Sequence, residues 1–294
     1  MRELNANCVW PVGAELGEGP LWVAEEQRMY FVDIKRGKLH ALDVVGGERH
    51  SWSVPGLLCW IVARRDGDGF MAGLGDCVAR LWPERHLRLE SLALDFALGR
   101  DVRLNDAKAD RFGNIWAGSM NNLDYSRADG RLFRLAPDLG LSVAGQGLHI
   151  ANGPAFSADG ATMYHTDTFL GRIHSYPVDA GGIAGVGHLW RQFGAAGEGG
   201  PDGMCCDAEG GLWVAQWGGA RVCRYLADGT LDTVVHLPVS HVSSCAFGGA
   251  GLRTLYITSA RQELGADRLA DEPLAGGLFA VELDVAGAPA FRFG

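Results

Sequence analysis

Short apolar runs alternate with glycine-containing turns along the whole chain, and no long run keeps the spacing of a helix. Four segments share one order: a polar residue beside a glycine, an apolar strand, a turn of the Asp-Gly kind, a strand ending in aromatics, and a further strand. Short apolar runs bounded by turn residues are typical of β-strands. The four segments are Gly17–Asp43, Asn105–Asp138, Asn152–Asp179 and Pro201–Gly229.

Two weaker copies complete the series. One covers Leu58–Glu84, and the other begins at Ser243 and closes with Gly276–Asp284. Equivalent points lie about 40 to 50 residues apart, which is the repeat length of a four-stranded propeller blade. The pattern therefore predicts an all-β fold, a six-bladed β-propeller formed as one domain by residues 1–294. A β-sandwich and an eight-stranded barrel are the alternatives, and regular repeats of this length disfavour both.

Composition and charge narrow the classes of partner. The chain of 294 residues has 47% hydrophobic and 21% charged residues, as expected of a soluble globular protein with a sizeable core. Its net charge of −9 disfavours a nucleic-acid partner. No apolar run reaches the roughly 18 residues that span a bilayer, and the first residues lack an apolar signal region. We therefore predict no membrane partner and a cytoplasmic location. The seven cysteines form no C-x-x-C pair and are expected to be free thiols.

Polar residues recur at the start of four repeats, at Glu18, Asn105, Asn152 and Asp202. Equivalent positions of successive blades meet around the propeller axis, so these side chains are predicted to form a ring of carboxylate and amide oxygens. Oxygen donors select hard divalent cations such as Ca²⁺, Mg²⁺ or Mn²⁺. Glu18, Asn152 and Asp202 would leave positions open for water and substrate. Each residue alone is an ordinary turn residue, so the prediction depends on the propeller.

Several runs resemble one known family in order along the chain. They are LGEGPLW with YFVDI, RLNDAKAD with RFGNIWAGSM, NGPAFSADGATMYHTDT, PDGM with GLWVAQWGG, and SSCAFGG with LRTLYITSAR. Together they resemble the family of gluconolactonase, senescence marker protein (regucalcin) and luciferin-regenerating enzyme, from about Val12 to Val285. The resemblance implies a six-bladed propeller with one divalent metal ion in its central channel, held by Glu18, Asn152 and Asp202. The metal is left open among Ca²⁺, Zn²⁺, Mn²⁺, Mg²⁺ and Fe²⁺.

The same resemblance implies substrate-binding residues. The family's substrate-facing Arg and Asn match Arg103 and Asn105, and Asn121 is the third predicted substrate-binding residue. Regucalcin-like members often carry an acidic residue after the run that matches GSM, where this chain has Asn121 or Asn122. The YHTDT and TSAR runs resemble the bacterial lactonases of pentose and hexose oxidation. A small sugar lactone is therefore the expected partner.

The predicted activity is metal-dependent hydrolysis of a sugar acid lactone, a gluconolactone or pentonolactone, to the aldonic acid in sugar oxidation. The metal would polarise the lactone carbonyl, and Asp202 would act as the general base. The chain has no Gly-x-Ser-x-Gly sequence, so a serine-esterase mechanism lacks its usual marker. Two alternatives are kept: a non-catalytic calcium-binding or interaction propeller, and a metal-dependent esterase or phosphotriesterase-like hydrolase. For His149 and His165 a hydrogen-bonded structural role is favoured over metal binding or acid–base work.

Overall fold

Six β-sheets surround one axis in the computed structural model, which describes residues 1–179, 182–183 and 187–294. Each sheet forms one blade, with four strands or with four and a short additional strand. Neighbouring strands within a blade are antiparallel and joined by tight turns, apart from one parallel pair described below. The predicted all-β six-bladed propeller is confirmed.

The strands are numbered in chain order. Two come first, β1 (Arg2–Asn5) and β2 (Asn7–Trp10). Blade 1 contains β3 (Gly17–Val23), β4 (Arg28–Asp33), β5 (Lys38–Asp43) and β6 (Arg49–Ser53). Blade 2 contains β7 (Trp60–Ala63), β8 (Phe70–Leu74), β9 (Cys77–Trp82) and β10 (Arg88–Leu92). Blade 3 contains β11 (Val102–Ala109), β12 (Ile115–Asn121), β13 (Gly130–Leu135) and β14 (Leu141–Leu148).

Blade 4 contains β15 (Ala151–Phe156), β16 (Thr162–Asp167), β17 (Arg172–Asp179), β18 (Gly182–Ile183) and β19 (His188–Gln192). Blade 5 contains β20 (Gly200–Cys206), β21 (Leu212–Trp217), β22 (Arg221–Tyr225) and β23 (Leu231–His236). Blade 6 contains β24 (Val242–Gly248), β25 (Thr254–Ser259) and β26 (Leu278–Glu282). The helical elements are α1 (Ala266–Asp271) and 3-10 turns at Ala24–Glu26 and Ala250–Leu252. No helix in the described part of the chain is long and apolar enough to cross a membrane.

The ring is closed by residues that precede the first repeat. Strand β2 pairs with β26 and supplies the outer strand of blade 6, with Asn7 opposite Ala280. Strand β1 runs parallel to β23 at the outer edge of blade 5. Neither strand belongs to one of the six predicted repeats. The structure therefore joins the beginning of the chain to its last two blades.

The innermost strand of each blade is its first, and these six strands contact one another in a ring around the channel: β3, β7, β11, β15, β20 and β24. We call the end at which these strands begin the channel mouth. The last residues of the chain cover the opposite end. There Ala288 donates its backbone N–H to Cys206, and Phe293 to Ala63, both at the ends of inner strands.

Apolar side chains fill the space between neighbouring blades, as packing of sheet on sheet requires. Indole rings take part: Trp60, Trp116 and Trp213 are all about 1% exposed or less. In blade 5 the Trp213 indole donates to the Asp207 carboxylate at 2.9 Å, and Arg224 Nε donates to the same oxygen at 2.7 Å. A buried carboxylate is thus fully used in holding a turn to its blade.

Candidate functional site

The inner strands of five blades change register, four of them close to predicted site residues. The shifts lie between Glu18 and Leu21, Leu104 and Ala107, Asn152 and Ala155, Pro201 and Met204, and Val242 and Ser244. A β-bulge bends its strand and changes the direction of a side chain. The glycines after Glu18 and Asn152 have positive φ angles of 52° and 38°, which a glycine adopts without strain. Bulge and glycine together explain why polar side chains gather here.

A chain of hydrogen bonds joins four of the predicted residues across blades 3, 4 and 5. Arg103 Nη1 donates to Asn105 Oδ1 at 2.7 Å, and Asn105 Nδ2 donates to Asn152 Oδ1 at 3.0 Å. Asn152 Nδ2 in turn donates to Asp202 Oδ1. All four residues are buried. The structure therefore brings the substrate-binding pair Arg103 and Asn105 next to two of the predicted metal ligands.

Glu18 completes a group of three buried carboxyl groups with Asp106 and Asp202. Burial, followed by the charge of Asp106, raises the pKa of Glu18 to about 8. Burial and then the charge of Glu18 raise the pKa of Asp202 well above its usual range. Burial likewise raises the pKa of Asp106. Three acids that oppose each other's ionisation mark a place where positive charge would be stabilised.

Asp106 is a site residue to which the sequence analysis gave no role. It takes the place held by glycine after Glu18, Asn152 and Asp202, and that exception in the repeat is the signal that could have found it. Its Oδ2 is buried and has no hydrogen-bond partner among the described residues. An orphaned buried oxygen between two other carboxyl groups is unusual and fits a site for a cation.

The donor set fits a hard divalent ion. Two carboxylates and an amide oxygen from Glu18, Asp202 and Asn152 are the oxygen ligands that such ions prefer. Within the described ranges no three His, Cys, Asp or Glu side chains are grouped as a metal site, and the predicted set differs by using an asparagine. Asn152 turns its Nδ2 toward Asp202. Ligation through Oδ1 therefore calls for a half-turn of the amide, which exchanges two groups of nearly equal size.

The structure does not bring Asn121 to the other substrate-binding residues. Its Oδ1 accepts the backbone N–H groups of Leu123 and Asp124, at 3.0 and 2.9 Å, and its Nδ2 donates to Asp129. Asn121 thus shapes its own loop. The neighbouring Asn122 faces the site instead, where its Oδ1 accepts Arg103 Nε at 2.9 Å.

The loop that follows β12 reaches across the channel mouth. Tyr125 in this loop donates its hydroxyl to Glu263 Oε1 at 2.9 Å, and Gln262 Nε2 donates to the Tyr125 hydroxyl at 3.0 Å. Residues 262–263 follow the second strand of blade 6, which lies opposite blade 3 in a ring of six. The bridge therefore joins two opposite blades across part of the mouth.

The two histidines take no part in the hydrogen-bond chain. His149 Nδ1 lies 3.1 Å from Asp167 Oδ2, and its ring stacks on Phe169 with centroids 4.9 Å apart. His165 is buried in β16, where burial lowers its pKa to about 4. Neither shares a hydrogen bond with a predicted metal ligand in the described part of the chain. The structural role of both stays a prediction.

A six-bladed propeller with buried carboxyl and amide groups at one end of its channel defines the class of protein. The chain belongs to the SMP-30/Gluconolactonase/LRE-like family, whose model matches residues 16–261. The family resemblance found in the sequence is thereby confirmed.

Individual relatives cover nearly the whole chain. It is 37% identical to 6-deoxy-6-sulfogluconolactonase of Pseudomonas putida, over 95% of each chain. It is 35% identical to L-arabinolactonase of Azospirillum brasilense, over 95% of this chain and 92% of the relative. Among solved structures it is similar to the calcium-binding protein regucalcin of Agrobacterium tumefaciens, with a TM-score of 0.90, 26% identity and 99% of each chain covered.

Proposed function

We propose that this chain hydrolyses the lactone of a sugar acid, using one divalent metal ion held by Glu18, Asn152 and Asp202. The lactonase activity is supported by the two relatives named above, which are at least 35% identical over almost the whole chain and are named for such lactones. One name includes a sulfo group and the other does not. The charge of the substrate must therefore be inferred from this chain's own residues. The proposed location is the cytoplasm.

One observation carries the metal dependence. Glu18, Asp106 and Asp202 are buried and oppose ionisation within the group. In the residues that the structure describes none has a cationic nitrogen within 4.0 Å, and Arg103 and Lys108 act on them only from farther away. Burying uncompensated carboxylates is costly, so they are either protonated or paired with a cation. A divalent ion held by Glu18, Asn152 and Asp202 would supply the missing positive charge.

Each residue of the site would have its own role in the reaction. When bound, the metal would supply positive charge for the lactone carbonyl oxygen and for a nearby water. Asp202 would accept a proton from the attacking water at a carboxylate oxygen. Arg103 and Asn105 would orient the substrate through its hydroxyl groups, since both carry several directed donors. The bridge through Tyr125 would limit bulk water during the reaction.

The test uses protein stripped of metal and a panel of glucono-, arabinono- and xylonolactones, with acid release followed at neutral pH. One ion at a time is restored from Ca²⁺, Zn²⁺, Mn²⁺, Mg²⁺ and Fe²⁺. We expect metal-dependent turnover that falls by about 100-fold or more in Asp202→Asn. Asp228→Asn, which changes an exposed turn, should keep full activity. Absence of acceleration over spontaneous opening with every ion would contradict the proposal.

A calcium-binding protein without catalysis is the second candidate. It is favoured by the similarity to the structure of a calcium-binding regucalcin. Calorimetric titration with Ca²⁺ separates the two possibilities, because tight binding without turnover of any lactone would support the second one.

A further inference from the structure

Two cationic side chains meet at the channel mouth on one neutral oxygen. Lys35 Nζ and Arg103 Nε both donate to Asn122 Oδ1, at 2.8 and 2.9 Å. Neither cation has a carboxylate oxygen within 4.0 Å in the described part of the chain. Like charges held this close repel each other, and more strongly where water is partly excluded. Burial and then the charge of Arg103 lower the pKa of Lys35, as this repulsion requires.

The acidic residues nearest to Lys35 are engaged elsewhere. Glu263 accepts hydrogen bonds from Tyr125 and Gln262, at 2.9 and 3.1 Å. Glu15 forms an ion pair with Arg36 at 3.4 Å. Both glutamates act on Lys35 only as weaker, more distant charges. The charge of Arg103 also acts on the buried Glu18 and Asp202, whereas Lys35 has no close carboxylate partner among the described residues. The mouth therefore holds a positive charge at Lys35 that is not closely paired, although the chain as a whole carries −9.

A chain of hydrogen bonds also connects Lys35 to the buried carboxyl groups. They run from Lys35 through Asn122 to Arg103, and on through Asn105 and Asn152 to Asp202. The buried carboxyl groups lie at one end and Lys35 lies at the other. A substrate whose lactone carbonyl is near Asp202 would extend its far end toward the two cations.

We infer that the preferred substrate is an anionic sugar lactone, and that Lys35 determines this specificity by binding a sulfonate or phosphate group remote from the lactone carbonyl. The inference rests on the proposed lactonase function. Tetrahedral oxyanions suit a lysine ammonium beside an arginine fork, because both donate charge-assisted hydrogen bonds. The neutral Asn122 leaves both cations available, whereas an acidic residue there would pair with them.

The test compares glucono-1,5-lactone with its 6-phosphate and 6-deoxy-6-sulfo derivatives on the metal-loaded protein. Wild type should have the higher kcat/KM for the charged lactones. Lys35→Gln should lose about 10- to 100-fold in kcat/KM for these, mainly through KM, and little for the neutral lactone. Lys38→Gln is the matched control, since it removes the same charge three residues away and should leave the preference unchanged. The better of the two charged lactones identifies the anion.

A second variant keeps the fold and reverses the electrostatics. Asn122→Asp would place a carboxylate between Lys35 and Arg103. It should lower kcat/KM for the charged lactones at least as much as Lys35→Gln does. The inference is overturned if Lys35→Gln loses kcat/KM equally for neutral and charged lactones, or if wild type prefers the neutral lactone. The lactonase function stands in both cases. If wild type hydrolyses none of the three lactones, the inference fails, and the proposed function fails with it only if the arabinono- and xylonolactones are not hydrolysed either.

Discussion

Raising the pH is expected to destabilise the metal-free protein through Glu18. The pKa of this carboxyl group is about 8 in the folded protein against an ordinary value of 4.5. Between these values the folded state holds a proton that the unfolded state has released, so the free energy of unfolding falls as the pH rises. At about 1.4 kcal/mol per pH unit, the contribution of Glu18 falls by about 2 to 3 kcal/mol between pH 5.5 and 7.5.

The size of the effect in a melting experiment follows from the length of the chain. An unfolding entropy of roughly 0.6 kcal/mol per kelvin, from about 2.1 cal/mol/K per residue, converts this loss to about 4 °C in Tm. The buried His165 has the opposite effect, because its pKa is lowered to about 4 in the folded protein. The unfolded state then binds the proton more readily, so this contribution to the free energy of unfolding increases as the pH rises toward the ordinary value of 6.5. The quantity to measure is therefore the difference between wild type and Glu18→Gln, by calorimetry in chelator at pH 5.5, 6.5 and 7.5.

The same experiment tests the metal site without relying on activity. Saturating divalent metal should raise the Tm of wild type most at pH 7.5, where the ion replaces the proton, and should raise that of Glu18→Gln much less. Glu48→Gln, at an exposed position, serves as a control and should behave as wild type. The reasoning is refuted if wild type and Glu18→Gln show the same pH dependence, or if the metal stabilises both equally.

Three further predictions concern the fold around the site. Asp207→Asn should cost about 1 to 3 kcal/mol in denaturant unfolding, since it removes the buried carboxylate that accepts hydrogen bonds from Trp213 and Arg224, while Arg224 keeps its pairs with Glu209 and Asp232; an unchanged midpoint would contradict this. Gly153→Ala should reduce metal affinity in calorimetry, because Gly153 has a φ of 38° and an added β-carbon would lie 2.7 Å from the backbone oxygen of Asp202. Unaltered affinity would show that the bulge tolerates a side chain. Cys205 and Cys245 have their sulfur atoms 3.6 Å apart, so hydrogen peroxide should join them as a disulfide with release of two waters, and peptide mapping that finds both thiols free would disprove it.

The sequence was sufficient to predict the propeller and the convergence of four residues, because both depend on periodicity. A repeat of fixed length determines the blades, and residues at one phase of the repeat must meet around the axis. Glu18, Asn152 and Asp202 were found in this way, without any knowledge of contacts.

Features that depend on individual contacts could not be predicted. Which of two adjacent asparagines faces Arg103 depends on the hydrogen bonds inside one loop, where Asn121 is used to hold the turn and Asn122 is left to the site. Lys35 follows a strand of a different blade, and no periodic signal connects it to that loop. Strands β1 and β2 carry no repeat signal either, since their partners lie more than 200 residues away.

The pairing of β2 with β26, which closes the ring, affects how the protein folds during synthesis. Strand Asn7–Trp10 is synthesised long before its partner Leu278–Glu282. Blades 1 to 4 can form in order while the chain grows, but an early segment must stay unpaired until nearly the whole protein has emerged. The contact that closes the ring thus becomes possible only late in synthesis. Deleting Asn7–Trp10 would open the ring at blade 6, so damage to a peripheral strand would reach the channel.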